Sequence, residues 1–274
     1  MYKKDFPYFA NSKTVYLDNG SSTQKPQSVI DSTVEFYSNY YSNTHRSSFG
    51  DANKATTEFE NTREVLKNFI NASKKEEIIF TSGVTQSINF IASSFGKKFK
   101  NIIISSLEHH ANIVPWQMQN RVFGKGLFIV NCNSNLDFDY EHFEELLKAN
   151  PNSFVSVAHV TNAFGKVHDI KKICEIAHKY DSAVMIDGAQ SLSSFKIDVQ
   201  DIDCDFFAIS AHKTFGPTGV GAIYIKEKFH DMVEPYITGG AAINIVDLEK
   251  GTTFLNAPYK FEAGTQNIAG VIAF

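Results

Sequence analysis

The sequence predicts an α/β protein, with a mainly parallel, mixed sheet and helices on both faces. Three observations predict it. From about residue 76 onward, short apolar runs alternate with amphipathic stretches of helical length, the pattern of strands joined by crossover helices. The apolar runs are continuous rather than alternating, as parallel strands buried on both faces require. Several end on a polar residue beside a turn, and ligands of such sheets gather at those strand ends.

The elements follow in order. Residues 1–60 are the least regular, and helices are expected over Val29 to Tyr40 and Lys54 to Ile70. Glu76-Glu-Ile-Ile-Phe80 reads as a strand, followed by a helix through Ser87 to Phe95. Asn101-Ile-Ile-Ile-Ser105 is a strand, a helix starts at Pro115, and Leu127 to Val130 is the next strand. A helix over Tyr140 to Ala149 leads to a strand over Ser153 to Val160. The helix over Asp169 to Tyr180 places Ile170, Ile173, Cys174 and Ala177 on one face. Two apolar strands then end at Asp187 and Ser210, and Gly219 to Ile225 forms another, read as an antiparallel strand at the sheet edge. No internal repeat or low-complexity segment interrupts the pattern.

Composition places the 274-residue chain among ordinary globular proteins, with 43% apolar and 20% charged residues. Net charge is −4 and the lysines are scattered, which argues against nucleic acid or an anionic membrane as partner. No apolar run approaches the roughly 18 residues of a membrane span, and the start, Met1-Tyr-Lys-Lys-Asp-Phe-Pro-Tyr, lacks a signal peptide's apolar core. A cytoplasmic protein is expected. Cys132, Cys174 and Cys204 are widely spaced with no C-x-x-C, so they read as structural residues and not as a disulfide framework, a metal site or a reactive nucleophile.

The chemistry concentrates at the strand ends. Asp205-Phe-Phe-Ala-Ile-Ser210-Ala-His212-Lys213 runs an apolar strand into a turn that delivers a lysine, and Ala183-Val-Met-Ile-Asp187-Gly-Ala-Gln190 ends in an Asp followed by a Gln. A lone lysine at a strand end is ordinarily a solvated charge. Paired with an Asp able to keep a pyridine nitrogen protonated, a lysine able to form an imine meets the needs of pyridoxal 5'-phosphate (PLP) chemistry. Thr81-Ser-Gly83-Val84-Thr85 places a glycine turn between strand and helix, an anion site by geometry. The adjacent pair His109-His110 lacks a third ligand at metal spacing, so no metal is expected.

Seven ordered segments carry a resemblance: Tyr16-Leu-Asp-Asn-Gly-Ser-Ser, Phe80-Thr-Ser-Gly-Val-Thr85, Glu108-His-His-Ala-Asn-Ile-Val-Pro-Trp-Gln117, His159-Val-Thr-Asn162-Ala-Phe-Gly165, Asp187-Gly-Ala-Gln190, Ser210-Ala-His-Lys213 and Phe261-Glu-Ala-Gly-Thr265-Gln-Asn267. The chain resembles the class V, fold-type I PLP enzymes, and within them the SufS-like cysteine desulfurases and selenocysteine lyases. The resemblance implies that Lys213 forms the imine and later acts as a base. Asp187 pairs with the ring nitrogen, Gln190 with the phenolic oxygen, and His109 stacks on the ring and moves protons. The phosphate is held by Gly83, Val84, Thr85, Ser210 and His212, and Asn162 meets the ring oxygen and the substrate carboxylate. Thr265, beside Gly264, reaches a neighbour's phosphate, which implies a homodimer.

The implied reaction takes L-cysteine to alanine and passes the sulfur on as a persulfide, with a sulfur-acceptor protein for iron–sulfur cluster or other delivery. Residues 1–20 read as an N-terminal segment and 21–265 as the PLP-binding large domain. Residues 266–274 read as the start of a helix toward a small domain that this chain lacks, where the family's nucleophilic cysteine and carboxylate-binding arginine lie. Two departures stand out: Val84 where Thr or Ala is usual, and Phe49 in place of the second His of a His-Arg-Gly-x-His segment read at His45 to Phe49. Selenocysteine lyase, another class V enzyme and a non-catalytic PLP-binding fragment are the alternatives. A nucleotide-binding module fits poorly, because no Gly-Lys pair is followed by Ser or Thr.

Overall fold

The computed structural model describes residues 2–44 and 49–274. The substrate-side segment read at residues 45–48 lies outside the described residues. A short helix α1 (Pro7–Asn11) and an extended stretch precede α2 (Gln27–Asn39) and α3 (Gly50–Phe69). The alternating part follows as β1 (Ile78–Thr81), α4 (Val84–Ser94), β2 (Asn101–Ser105), α5 (Val114–Phe123), β3 (Gly126–Val130), α6 (Tyr140–Ala149) and β4 (Phe154–Ala158). It continues with α7 (Ile170–His178), β5 (Ala183–Asp187), α8 (Val199–Ile202), β6 (Phe206–Ser210) and β7 (Gly221–Ile225). Local chemistry sets several boundaries. Asp139 and Asp169 cap α6 and α7 by accepting from His142 N and Lys172 N, and α5 stops at Gly124 in the left-handed region.

Among the described residues, seven strands form one sheet in the order β1-β7-β6-β5-β4-β2-β3. All run parallel except β7, which is antiparallel to both β1 and β6. The expected antiparallel strand is thus present, but not at the edge: β1 returns from early in the chain to cover it. A second, two-stranded sheet, β8 (Ile243–Asp247) paired with β9 (Gly251–Phe254), was not expected from the sequence. It holds Ile245, Val246 and Leu248 exposed. The chain closes on α9 (Ile268–Ala273), which packs on α2 and α3.

Continuous apolar strands serve both faces, because successive side chains point opposite ways. Ile103, Val155, Val157, Val184, Ile186 and Phe207 join one core with α2, α3, α7 and α9. Their neighbours Ile102, Ile104, Phe154, Met185 and Phe206 join the other with α4 and Trp116 of α5. Each such side chain, fully buried, contributes roughly 1.5–3 kcal/mol, so the sheet is a rigid platform for its edge. Among the described residues no helix is long and apolar enough to cross a membrane, and no group of three or more His, Cys, Asp or Glu is placed to hold a metal ion.

Candidate active site

The site opens where the parallel strands end. Thr81, Gly221 and Ser210 stand in one row across β1, β7 and β6. A Cβ on Gly221 would lie 2.4 Å from the Ile209 carbonyl oxygen and 2.5 Å from Gly83 Cα, so glycine is what lets the turn after β1 settle onto the strand. Gly83 has φ +143°, a region side chains rarely enter, and a Cβ there would stand 3.6 Å from Ser210 Oγ. Helix α4 begins at the next residue, so the amides of its first turn lack intrahelical acceptors beside Ser210.

Of the residues singled out in the sequence, Gly83, Val84, Thr85, His109, Asn162, Asp187, Gln190, Ser210, His212 and Lys213 line one cavity of about 830 Å³. Thr265 does not. It lies with Gly264 on a second cavity of about 630 Å³, beside Tyr259 and Glu262. None of Cys132, Cys174 and Cys204 lines the first cavity. Cys174 and Cys204 are buried, and desolvation pushes both thiols well above their ordinary range.

The electrostatics of the cavity come from burial. Asp187 is 4% exposed, and the one hydrogen bond of its carboxylate among the described residues is from Ala189 N to Oδ1 at 2.9 Å. Desolvation raises its pKa, opposed by the Ala189 amide and the charges of Lys213 and His109. The Lys213 amine has no hydrogen-bond partner among the described residues, and burial lowers its pKa while Asp187 acts the other way. His109 is pulled down first by burial and then by Lys213, so its ring is neutral near pH 7. Its Nδ1 accepts from Ala111 N at 3.1 Å, which leaves the proton on Nε2.

Two of these side chains also meet the N-terminal stretch. Gln190 Nε2 donates to the Gly20 carbonyl at 2.6 Å, so its amide ties the N-terminal stretch to the rim. The His212 ring places Nδ1 3.2 Å from Ser22 Oγ. Leu17, Asp18, Gly20 and Ser21, which belong to the first of the seven resembling segments but were given no individual roles, also line the cavity.

Glu108 was missed as well. It is buried, with Oε1 accepting from Ser105 Oγ and, at 3.0 Å, from Ala158 N; Oε2 accepts from Asn112 Nδ2 at 2.7 Å. Asn112 Oδ1 in turn accepts from Trp116 Nε1 and Ser156 Oγ. This network ties the ends of β2 and β4 together behind His109. Desolvation pushes Glu108 up to about 7, although all three donors favour its charged form.

The donor set can be tested against PLP. A half-buried amine without a partner, a buried carboxylate with a single donor and a helix N-terminus face one cavity, whose size is that of cofactor sites. They fit a ligand with an aldehyde, a basic ring nitrogen and a phosphate.

Comparison with known proteins agrees. The signature of the aminotransferase class-V family matches residues 15–274. The chain is 39% identical to a cysteine desulfurase of Escherichia coli O8 (strain IAI1), over 98% of this chain and 68% of that one. It is 41% identical to a cysteine desulfurase of Synechococcus elongatus, over 98% of this chain and 44% of that one. The apo cysteine desulfurase from Thermococcus onnurineus NA1 superposes with a TM-score of 0.94 at 34% identity, covering 99% of this chain and 67% of that one. The cysteine desulfurase CsdA of Escherichia coli, in S-sulfonic acid form, superposes with a TM-score of 0.91 at 35% identity, covering 99% and 68%. The chain therefore spans about two thirds of most of these relatives, and under half of the cyanobacterial one.

Proposed function

Because the chain belongs to the class-V aminotransferase family of PLP-dependent enzymes, we propose that it is the cofactor-binding part of a cysteine desulfurase, acting on L-cysteine to give alanine and a persulfide. The observation that carries the reading is the convergence of Lys213, Asp187 and the α4 N-terminus on one cavity. When bound, PLP supplies an aldehyde that takes up an amine and a ring that accepts the electron pair left at the substrate α-carbon.

The remaining work falls to the chain's own residues. Lys213, whose amine burial shifts toward its neutral form, would hold the cofactor and, once released, would take the α-proton. Asp187, buried and short of a donor, meets the ring nitrogen with a charge-assisted bond. The amides of Gly83, Val84 and Thr85, with Ser210 and His212, hold the phosphate. His109 carries a proton on Nε2 for the substrate's sulfur, and Asn162 and Gln190 orient substrate and ring from the rim.

The sulfur-accepting thiol is assigned to none of the three cysteines, because none lines the cavity. Gly264 and Thr265 complete the site of a second copy, which makes the working unit a homodimer. A sulfur-acceptor protein and a cytoplasmic location belong to the same proposal. One experiment tests it: the chain is incubated with PLP, reduced with borohydride and mapped by mass spectrometry, before and after addition of L-cysteine. A stable adduct on Lys213 that is absent in Lys213→Ala is expected, without sustained alanine release by this polypeptide alone. An adduct on another lysine defeats the assignment.

A further inference from the structure

The loop that carries Lys213 is gripped by a distant part of the chain. The His212 carbonyl oxygen accepts from Thr23 N at 2.9 Å, Thr23 Oγ1 at 3.0 Å, Ser22 Oγ at 3.2 Å and Lys25 Nζ at 2.9 Å. A carbonyl has two lone pairs, so four donors on one oxygen make a dense clamp. Thr23 Oγ1 also accepts from Phe215 N at 2.9 Å, so one buried threonine holds the loop on both sides of Lys213. Phe215 sits at φ +63°, a conformation that a bulky residue keeps only when its surroundings enforce it.

Lys25 is the charged member of the clamp. Its acceptors among the described residues are the His212 carbonyl and, at 3.4 Å, Thr23 Oγ1; no carboxylate meets it. It is partly buried, and desolvation lowers its pKa. An ammonium drawn out of water without a counter-charge is costly, and here the peptide preceding Lys213 compensates it.

We propose that Lys25 is a positioning residue: through the His212 carbonyl it fixes the peptide of Lys213, and so the line along which that amine enters the cavity. The inference rests on Lys213 being the cofactor-holding amine. It concerns how that amine is aimed, not which group it is.

The test uses the full chain, unsubstituted and as Lys25→Met and Lys25→Arg. The time course of borohydride-trapped PLP on the Lys213 peptide is followed by mass spectrometry. Without PLP, the pH dependence of Lys213 acetylation by acetic anhydride is measured on the same proteins. Lys25→Met should slow capture roughly tenfold, the effect of losing one charge-assisted hydrogen bond, and displace the acetylation profile. Lys25→Arg, which keeps charge and donors, should restore both. Capture and acetylation unchanged in Lys25→Met overturn the inference while leaving Lys213's assignment intact. If no adduct forms on Lys213 of the unsubstituted chain, the reading of the cavity falls and this inference with it. Should Lys25→Met fail to fold, Lys25→Gln, which removes the charge and keeps a donor, carries the same comparison.

Discussion

Arg63 of α3 is fully buried and forms a two-pronged pair with Glu262: Nη1 to Oε1 and Nη2 to Oε2, both at 2.8 Å. The pair is woven into the backbone of β1, since Arg63 Nη1 donates to the Ile78 carbonyl at 2.6 Å and Phe80 N donates to Glu262 Oε1 at 2.7 Å. The guanidinium also lies over the Phe80 ring, 4.5 Å from its centroid. Arg63→Met keeps the volume and leaves the Glu262 carboxylate buried with the Phe80 amide. Removing one partner of a buried, hydrogen-bonded ion pair costs about 3–5 kcal/mol. With an unfolding entropy of roughly 2.1 cal/mol/K per residue over 274 residues, that loss lowers Tm by about 5–9 °C. Thermal unfolding followed by circular dichroism measures it. Arg63→Met combined with Glu262→Gln removes the stranded charge, keeps an acceptor for Phe80 N and should recover much of the loss. A Tm shift under about 2 °C in Arg63→Met, or a double variant that loses the sum of the two single losses, would refute the reasoning.

Glu108 makes stability fall with rising pH. Its folded pKa of about 7 exceeds the ordinary value of 4.5, so the folded state holds a proton that the unfolded chain releases between those limits. The difference amounts to on the order of 3 kcal/mol across the window, and Glu108→Gln should flatten that part of the slope in urea titrations from acid to neutral pH; an identical slope contradicts the account. Gly221→Ala pushes a methyl into the Ile209 carbonyl and Gly83 Cα. PLP affinity, read by absorbance titration, should fall at least about tenfold, as a displaced phosphate cradle loses one or more charge-assisted bonds; wild-type affinity would mean that the cradle does not depend on that close approach.

Much of the architecture was legible because it is local. Asn101–Ser105 and Tyr140–Ala149 begin and end where their apolar patterns do, and Asp187 and Ser210 terminate their strands as read. Strand order is not local, which is why β7 was placed at the edge when β1 covers it. The β8–β9 hairpin escaped notice because its apolar residues face outward and give no buried stripe. The cavity was visible through polar residues at strand ends. What secures it was not: Arg63 with Glu262, and Ser22 to Lys25 with His212, join positions nearly two hundred residues apart. No spacing rule links such pairs, and each half reads alone as an ordinary charged or hydroxyl residue.

The strand order has a consequence for biosynthesis. Among the described residues β1 pairs in the sheet through β7 alone, so the anion-binding turn that follows β1 lacks its strand partner until the ribosome has made the strand after Lys213. In a nascent chain the turn would trail as an unanchored tether while the central strands are already pairing. Vitamin loading therefore follows synthesis of that strand, and a translation arrest before Gly221 would yield a product unable to acquire its colour.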